Sequence, residues 1–360
     1  MSDRQFPCNS CGANLIFNPG QQKLGCPYCG SENEIAVEDV TIEENDFLAK
    51  LEELETNPSG ADTIDITEIK CAACAAEFSI NPGETAGECP YCATTFVQQP
   101  HVETILKPEA LLPFKVTRNE GKDKFGEWVS SLWFAPGKLK EYARTTEKLQ
   151  GVYLAHWTYD TNTSTDYMGA RGEYYWDTEY YTDSEGKRQS RSVRKTRWYP
   201  ASGRVHNAFD DILVVANDSL PRKYTEKLEP WDLQELIPYS EEYLSGFRSE
   251  RYSVGLRQGF GMAQNQVDRV IEETVRRHIG GDTQRIHNRH SNWMDITYKY
   301  VLLPVWVSAY RYQDKVYRIV INARTGEVQG ERPWSWVKIA MAVLAALIVI
   351  GTIVYFVQKN

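Results

Sequence analysis

The chain has 360 residues, a formal charge of −9 and a pI near 5.4, with 42% apolar and 12% aromatic residues. At roughly 150 residues per domain this length predicts two or three domains, and the aromatic content excludes global disorder. The acidic balance argues against a general nucleic-acid binder, which needs a positive surface to neutralise phosphates.

The first ten residues, MSDRQFPCNS, are polar and carry no secretory signal pattern. All eight cysteines follow, in one pattern used twice. CNSCGANLIFNPGQQKLGCPYC holds Cys8, Cys11, Cys26 and Cys29; CAACAAEFSINPGETAGECPYC holds Cys71, Cys74, Cys89 and Cys92. Both read C-x2-C-x14-C-x2-C at a constant offset of 63, and Asn18-Pro19-Gly20 recurs as Asn81-Pro82-Gly83. This is an internal duplication. Two residues between cysteines let a tight turn aim both sulfurs at one ion, and two such turns supply a tetrahedral thiolate set. Leu15 and Phe17, like Phe78 and Ile80, alternate as a short strand before the Asn-Pro-Gly turn. Each unit is expected to be a zinc ribbon, two Zn2+ per chain, folded by its metal because some thirty residues bury too little surface alone. Iron in a rubredoxin-like site is the chemical rival that spacing leaves open. Four-thiolate sites of this kind are structural rather than catalytic.

The ribbons occupy residues 1–31 and 70–97. Residues 32–69 between them carry 13 Asp or Glu. They read as an acidic linker, with Phe47, Leu48, Leu51 and Leu54 forming the stripe of a short helix near 43–56. The stretch is either solvated or a partner-binding amphipathic helix.

Residues 104–334 read as an aromatic-rich α+β body. Thr117-x-x-Glu120 forms a capping box ahead of Phe125, Trp128, Val129 and Leu132 at helical spacing, with Pro136 as the stop. A second short helix is expected from Leu139 to Leu149. Residues 151–183 are rich in β-branched and aromatic side chains, and Asp183-Ser184-Glu185-Gly186 marks a hairpin into the returning strand 187–199. Another strand is expected at Arg204–Ala216, then helices at Trp231–Leu236, Tyr239–Phe247 and Met262–Ile279, the last stopped by Gly280-Gly281. Strands follow at Trp293–Tyr300, Leu303–Tyr312, Val316–Asn322 and Glu327–Gly330, giving an antiparallel sheet. The fragments Leu154–Trp157 and Leu303–Trp306 hint at a unit used twice.

Lys187, Arg188, Arg191, Arg194, Lys195 and Arg197 put six cations in eleven residues. They form either a solvated hairpin face or a docking patch for anionic lipid headgroups or an acidic partner. His287 and His290, near Asp282 and Asp295, read as strand or loop surface rather than as a metal pair. No P-loop, H-E-x-x-H or G-x-S-x-G sequence occurs, so no enzymatic activity is expected.

Residues 339–357 are a 19-residue uncharged run flanked by Trp334 and Trp336, with Tyr355 and Phe356 at the far end. As a helix it would span about 28 Å, close to the hydrocarbon thickness of a bilayer. A transmembrane helix is expected over 336–357, so the chain is multidomain α+β with a single C-terminal anchor. Arg332 and Lys338 on the near side, and thiolates that need a reducing compartment, place the bulk of the chain in the cytoplasm.

The paired CxxC…CPYC frames, VYLAHWTYD, SEEYLSGFRSERY, HIGGD, LLPVWVSAYRY, NARTGEVQGERPWSW and the terminal apolar helix resemble, over nearly the whole chain, a bacterial family of membrane-anchored double zinc-ribbon proteins. Its members carry labels such as TFIIB-type zinc ribbon or primosomal protein N′ (replication factor Y)-like. The resemblance implies zinc on the eight cysteines and SPFH/flotillin-like or phage-shock-type protein partners in an envelope-stress assembly. One departure is Ala155, where proline is expected by analogy with Pro304. Two functional readings follow. One is a non-enzymatic adaptor or scaffold on the cytoplasmic membrane. The other is a nucleic-acid-binding ribbon protein linked to replication or a helicase, for which neither ribbon offers a basic platform.

Overall fold

The computed structural model describes residues 6–35, 41–56, 63–74, 76–80, 86–97, 101–137, 139, 149–312 and 315–359. It is α+β, with antiparallel sheets, five helices among the described residues and an apolar helix at the C-terminus. Three long strands dominate: Gln150–Thr182, Arg188–Val215 and Thr283–Tyr312. Gln150–Thr182 lies in the middle, antiparallel to both others. Lys315–Asn322 pairs with the C-terminal end of Thr283–Tyr312 and in turn with Val328–Gly330.

Two strands expected as separate pieces are therefore continuous. Pro200 does not break Arg188–Val215 because that strand is the edge of the sheet, where a missing N–H costs no ladder bond. Pro304 lies where Lys315–Asn322 ends; its carbonyl accepts from the Ala323 N–H at 3.0 Å. Leu154 and Leu303 are cross-strand partners, so the two similar fragments meet at their first residues and run apart along antiparallel strands, Trp157 opposite Tyr300 and Trp306 opposite Gly151.

The helix Leu256–Ile279 lies across the long strands. Its stripe of Leu256, Phe260, Ala263, Val267, Ile271, Val275 and Ile279 is buried, as the 3.6-residue period requires. Gly259 lets it approach: a Cβ there would stand 2.4 Å from the Tyr159 hydroxyl and 2.8 Å from the Trp157 ring. Trp157 Nε1 and the Tyr159 hydroxyl donate to the carbonyls of Val254 and Leu256, both at 2.8 Å. Gly280, at φ +69°, ends the helix where the glycine pair predicts. The helix Arg118–Ser131 starts on its capping box: the Glu120 N–H donates to Thr117 Oγ1, and the Thr117 N–H to the Glu120 carboxylate. The helices expected at Trp231–Leu236 and Tyr239–Phe247 shrink to 3₁₀ turns, Leu233–Glu235 and Glu241–Leu244. The helix expected at Leu139–Leu149 and the second Asn-Pro-Gly turn lie outside the described residues.

The described part of the acidic stretch between the ribbons is built into the fold. A helix forms at Phe47–Thr56, but its apolar face is occupied by the body. The Phe47 ring stands 4.9 Å from that of Phe260 and 6.2 Å from that of Tyr159. Asn45–Asp46 pairs with Thr297–Tyr298. Thr63–Lys70 is a strand between Glu77–Ser79 and His101–Leu106, so the second ribbon's sheet begins before residue 70.

Past Gly172 the third strand drops away, and two strands continue alone to the turn at residues 183–186. This ribbon is the outer part of an arm. The 33-residue strand Gln150–Thr182 measures on the order of 100 Å at about 3.3 Å per residue. At its inner end Gln150 is level with Val307, Val320 and Gln329, close before the terminal helix. That helix, Trp336–Lys359, has mean hydropathy 2.7 over its apolar window, none of it buried in the body. Its length and composition are compatible with single-pass membrane anchoring.

Candidate metal centres

Each cysteine frame folds as the repeated spacing requires. In the first, the Cys8 N–H donates to the Ala13 carbonyl at 2.7 Å and the Gly12 N–H to the Cys8 carbonyl at 2.8 Å. The second knuckle repeats this with Cys26 to Ser31 at 2.9 Å and Gly30 to Cys26 at 3.0 Å. Gly12 and Gly30 take φ of +73° and +71°, the left-handed region that closes the turn. In the second frame Ala93 occupies the position of Gly30 and is held at φ +54°.

The four sulfurs of each frame converge, all within 4.8 Å of one another. Cys8 Sγ lies 3.6 Å from Cys29 Sγ, and Cys11 Sγ 3.5 Å from Cys26 Sγ. The corresponding distances are 3.6 Å for Cys71–Cys92 and 3.7 Å for Cys74–Cys89. A tetrahedron with metal–sulfur bonds of about 2.3 Å has edges of about 3.8 Å, so both clusters fit a metal ion such as zinc. Within each centre some thiols are pulled down and others pushed up: against the Ala13 N–H, the bonds with Cys26 and Cys29 push Cys11 up to about 12, and burial pushes Cys71 up. The Ser31 hydroxyl, 2.9 Å from Cys8 Sγ, and the Ser10 N–H pull the Cys8 thiol down to about 6. Ser31 also lowers Cys29. The bond from Cys89 pulls Cys74 down to about 5, while that bond and burial push Cys89 up.

Sequence reasoning missed the outer shell. Ser31 and Thr94 are related by the same offset of 63, and Thr94 Oγ1 lies 3.3 Å from Cys92 Sγ. A hydroxyl two residues past the last cysteine of each frame is the signal, and such partners orient metal ligands.

The two ribbons are seated on the body rather than tethered to it. In the first, the Phe17 N–H donates to the Ser245 carbonyl at 3.0 Å, and Ser245 Oγ to the Leu15 carbonyl at 2.6 Å. The Phe17 ring packs 5.0 Å from Tyr243. Gly246, at φ +87°, makes room: a Cβ there would stand 1.9 Å from Ile16 Cγ2. The second ribbon joins one apolar cluster with Val152, Leu154, Val305, Val307 and Val320. Arg251 reaches Glu68 and Glu77, each at 2.8 Å, and Arg318 Nε donates to the Tyr91 carbonyl at 3.1 Å. Burial works against the Glu77 charge, but Lys70 and Arg251 hold its carboxyl below the usual range. The two CPYC tyrosines diverge: Tyr28 is 84% exposed, Tyr91 fully buried.

The cationic stretch lies along the outer arm, and the register splits it. Directly opposed residues share a face, and faces alternate along each strand. On one face Lys195 meets Asp177 at 2.7 Å, Arg191 meets Glu179 at 3.2 Å, and Arg197 stands opposite Glu173. The other face, from Met168 to Thr182 and Arg188 to Ser202, holds no carboxylate. There Arg188 lies over Tyr180 at 4.7 Å and Arg194 over Tyr174 at 4.2 Å, with Trp176 exposed between them. Lys187 follows the turn.

His287 and His290 form no metal cluster with Asp282 or Asp295 among the described residues. The Asp282 carboxylate accepts from the Tyr174 N–H instead, and Asp295 from Asn162. Glu44, Asp160 and Asp210 do converge, but Lys299 Nζ already stands 3.0 Å from both Glu44 and neighbouring Asp211.

No family model matches the chain, and no solved structure does. It is similar to "Uncharacterized protein YdjG" of Bacillus subtilis (strain 168), with 22% identity over 338 residues covering 93% of this chain and 92% of that protein. The likeness thus covers most of both chains.

Proposed function

We propose that the chain is a zinc-loaded adaptor, anchored in the cytoplasmic membrane with its bulk in the cytoplasm and devoid of catalytic activity. One observation carries this reading. Both four-cysteine centres use all their ligands and are seated on a body that projects an arm bearing a carboxylate-free aromatic and cationic face. A closed centre of this kind contributes folding energy and surface, not an open coordination position. Resemblance to membrane-anchored double zinc-ribbon proteins supports the same reading and suggests SPFH/flotillin-like or phage-shock-type partners. The arm's outer end stands on the order of 100 Å of strand from the root of the membrane helix, many Debye lengths at physiological salt. An arm directed away from the bilayer carries Arg188, Arg194 and Trp176 to an acidic protein partner rather than to the anchoring lipid.

The test is cross-linking in native membranes followed by detergent extraction and mass spectrometry, on wild type and two charge reversals. Arg188→Glu with Arg194→Glu alters the unpaired face; Arg191→Glu with Lys195→Glu alters the ion-paired one. Loss of the same partner only with the first pair supports the reading. A partner set unchanged by both removes the arm from it. Sub-micromolar nucleic-acid binding that weakens steeply with salt would replace the adaptor reading with the nucleic-acid one.

A further inference from the structure

The turn that ends helix Arg118–Ser131 is joined to the root of the terminal helix. The Phe134 carbonyl accepts from the Ser335 N–H at 2.8 Å. Lys338 Nζ donates to the carbonyls of Ala135, at 2.7 Å, and Trp133, at 3.3 Å. A cation is well placed there, because the helix ending at Ser131 presents its carbonyls and the negative end of its dipole. The Phe134 ring lies 6.4 Å from that of Trp334, which Arg332 covers at 4.6 Å.

These contacts fix the level of the turn along the helix. Lys338 is two residues into Trp336–Lys359, about 3 Å along the axis, and helical side chains lean toward the N-terminus. The backbone of Trp133 therefore stands level with the first turn, immediately before the uncharged run begins at Ile339. Its neighbours Leu132 and Ala135 are buried in the body, so the turn cannot rotate to hide the indole. Trp133 is 81% exposed and Trp336 78% exposed. An indole combines a large apolar surface with one N–H donor, and it partitions to the headgroup and carbonyl layer of a bilayer.

We propose that Trp133 is a second membrane contact: its indole enters the lipid interface beside Trp334 and Trp336, so that the body is held against the bilayer at two places and cannot swivel on a single helix. The proposal rests on the reading of Trp336–Lys359 as a membrane span. Its occupant is the phospholipid interface, because the surface is continuous with the helix that would enter it.

The experiment uses the full chain reconstituted in phosphatidylethanolamine–phosphatidylglycerol vesicles doped with a phospholipid carrying a photoactivatable carbene precursor at carbonyl depth. After illumination, digestion and mass spectrometry locate lipid adducts. The expected result is adducts on the peptide carrying Trp133 as well as on the terminal helix. Trp133→Ser should lower the adducts on its own peptide at least fivefold, with those on the helix unchanged and the metal content as in wild type. Trp133→Phe should keep most of them. Adducts on the helix with none around Trp133 would overturn the proposal and leave the anchor standing. Absence of adducts from the helix itself would overturn the anchor, and the proposal with it.

Discussion

Gly246→Ala tests whether the first ribbon is held by its seat on the body. Gly246 sits at φ +87°, and an added Cβ would stand 1.9 Å from Ile16 Cγ2 and 3.2 Å from Ile16 Cβ, atoms of the ribbon strand Ile16–Asn18. A left-handed conformation costs an L-residue about 1–2 kcal/mol, and forcing a methyl into a packed contact costs about 1–3 kcal/mol, so the seat should weaken by about 2–5 kcal/mol. The readout is hydrogen exchange at the Phe17 amide, which donates to the Ser245 carbonyl across the seat. At about 1.4 kcal/mol per decade, its exchange should accelerate at least about thirtyfold, while both metals stay bound. Gly186→Ala is the control. That glycine has φ +81° at the arm's turn with no heavy atom within 4 Å of a Cβ, so it carries the strain without the clash and should leave Phe17 untouched. An unchanged Phe17 rate in Gly246→Ala would refute the argument that glycine at 246 permits the docking.

Elemental analysis of the purified protein should return two zinc per chain, and Cys26→Ser should bring this to one. Because Phe17 and Leu15 are buried against the body, Cys26→Ser should also lower the melting midpoint of the body by about 5 °C or more; a body midpoint equal to wild type would mean an independent ribbon. Ala93→Gly relieves a left-handed alanine beside Cys92 and should stabilise the second ribbon by up to about 1 kcal/mol against urea, with destabilisation as the contrary result. His156 is buried with Nδ1 2.9 Å from the Leu154 carbonyl, and burial holds it down to about 4. The unfolded chain, titrating near 6.5, takes the proton first, so stability is lost as pH falls through that range. The loss between pH 7.5 and 5.5 should be about 1.4 kcal/mol greater in wild type than in His156→Gln, and parallel stability curves would contradict this.

Several features were legible because their causes are local. The repeated C-x2-C frames bring four sulfurs together through short turns, so the spacing itself dictates the clusters. Thr117 and Glu120 cap their helix through bonds within three residues, and Gly186 closes the arm's turn with its own left-handed φ. The terminal helix was visible because an uncharged run of its length needs no partner in the body to be read. Other features depended on residues far away in the chain. CPYC occurs twice, yet Tyr28 faces solvent and Tyr91 is enclosed, because only the second knuckle lies under Arg318 and the sheet. The helix Phe47–Thr56 reads as a free amphipathic segment until Phe260 and Tyr159 cover it. The six cations between 187 and 197 read as one patch; cross-strand register divides them, because period-two alternation sends Arg188 and Arg194 to one face and Arg191, Lys195 and Arg197 to the other. Whether Pro200 and Pro304 interrupt a strand depended on the neighbour opposite them, since a missing N–H matters only where another strand would have accepted its bond.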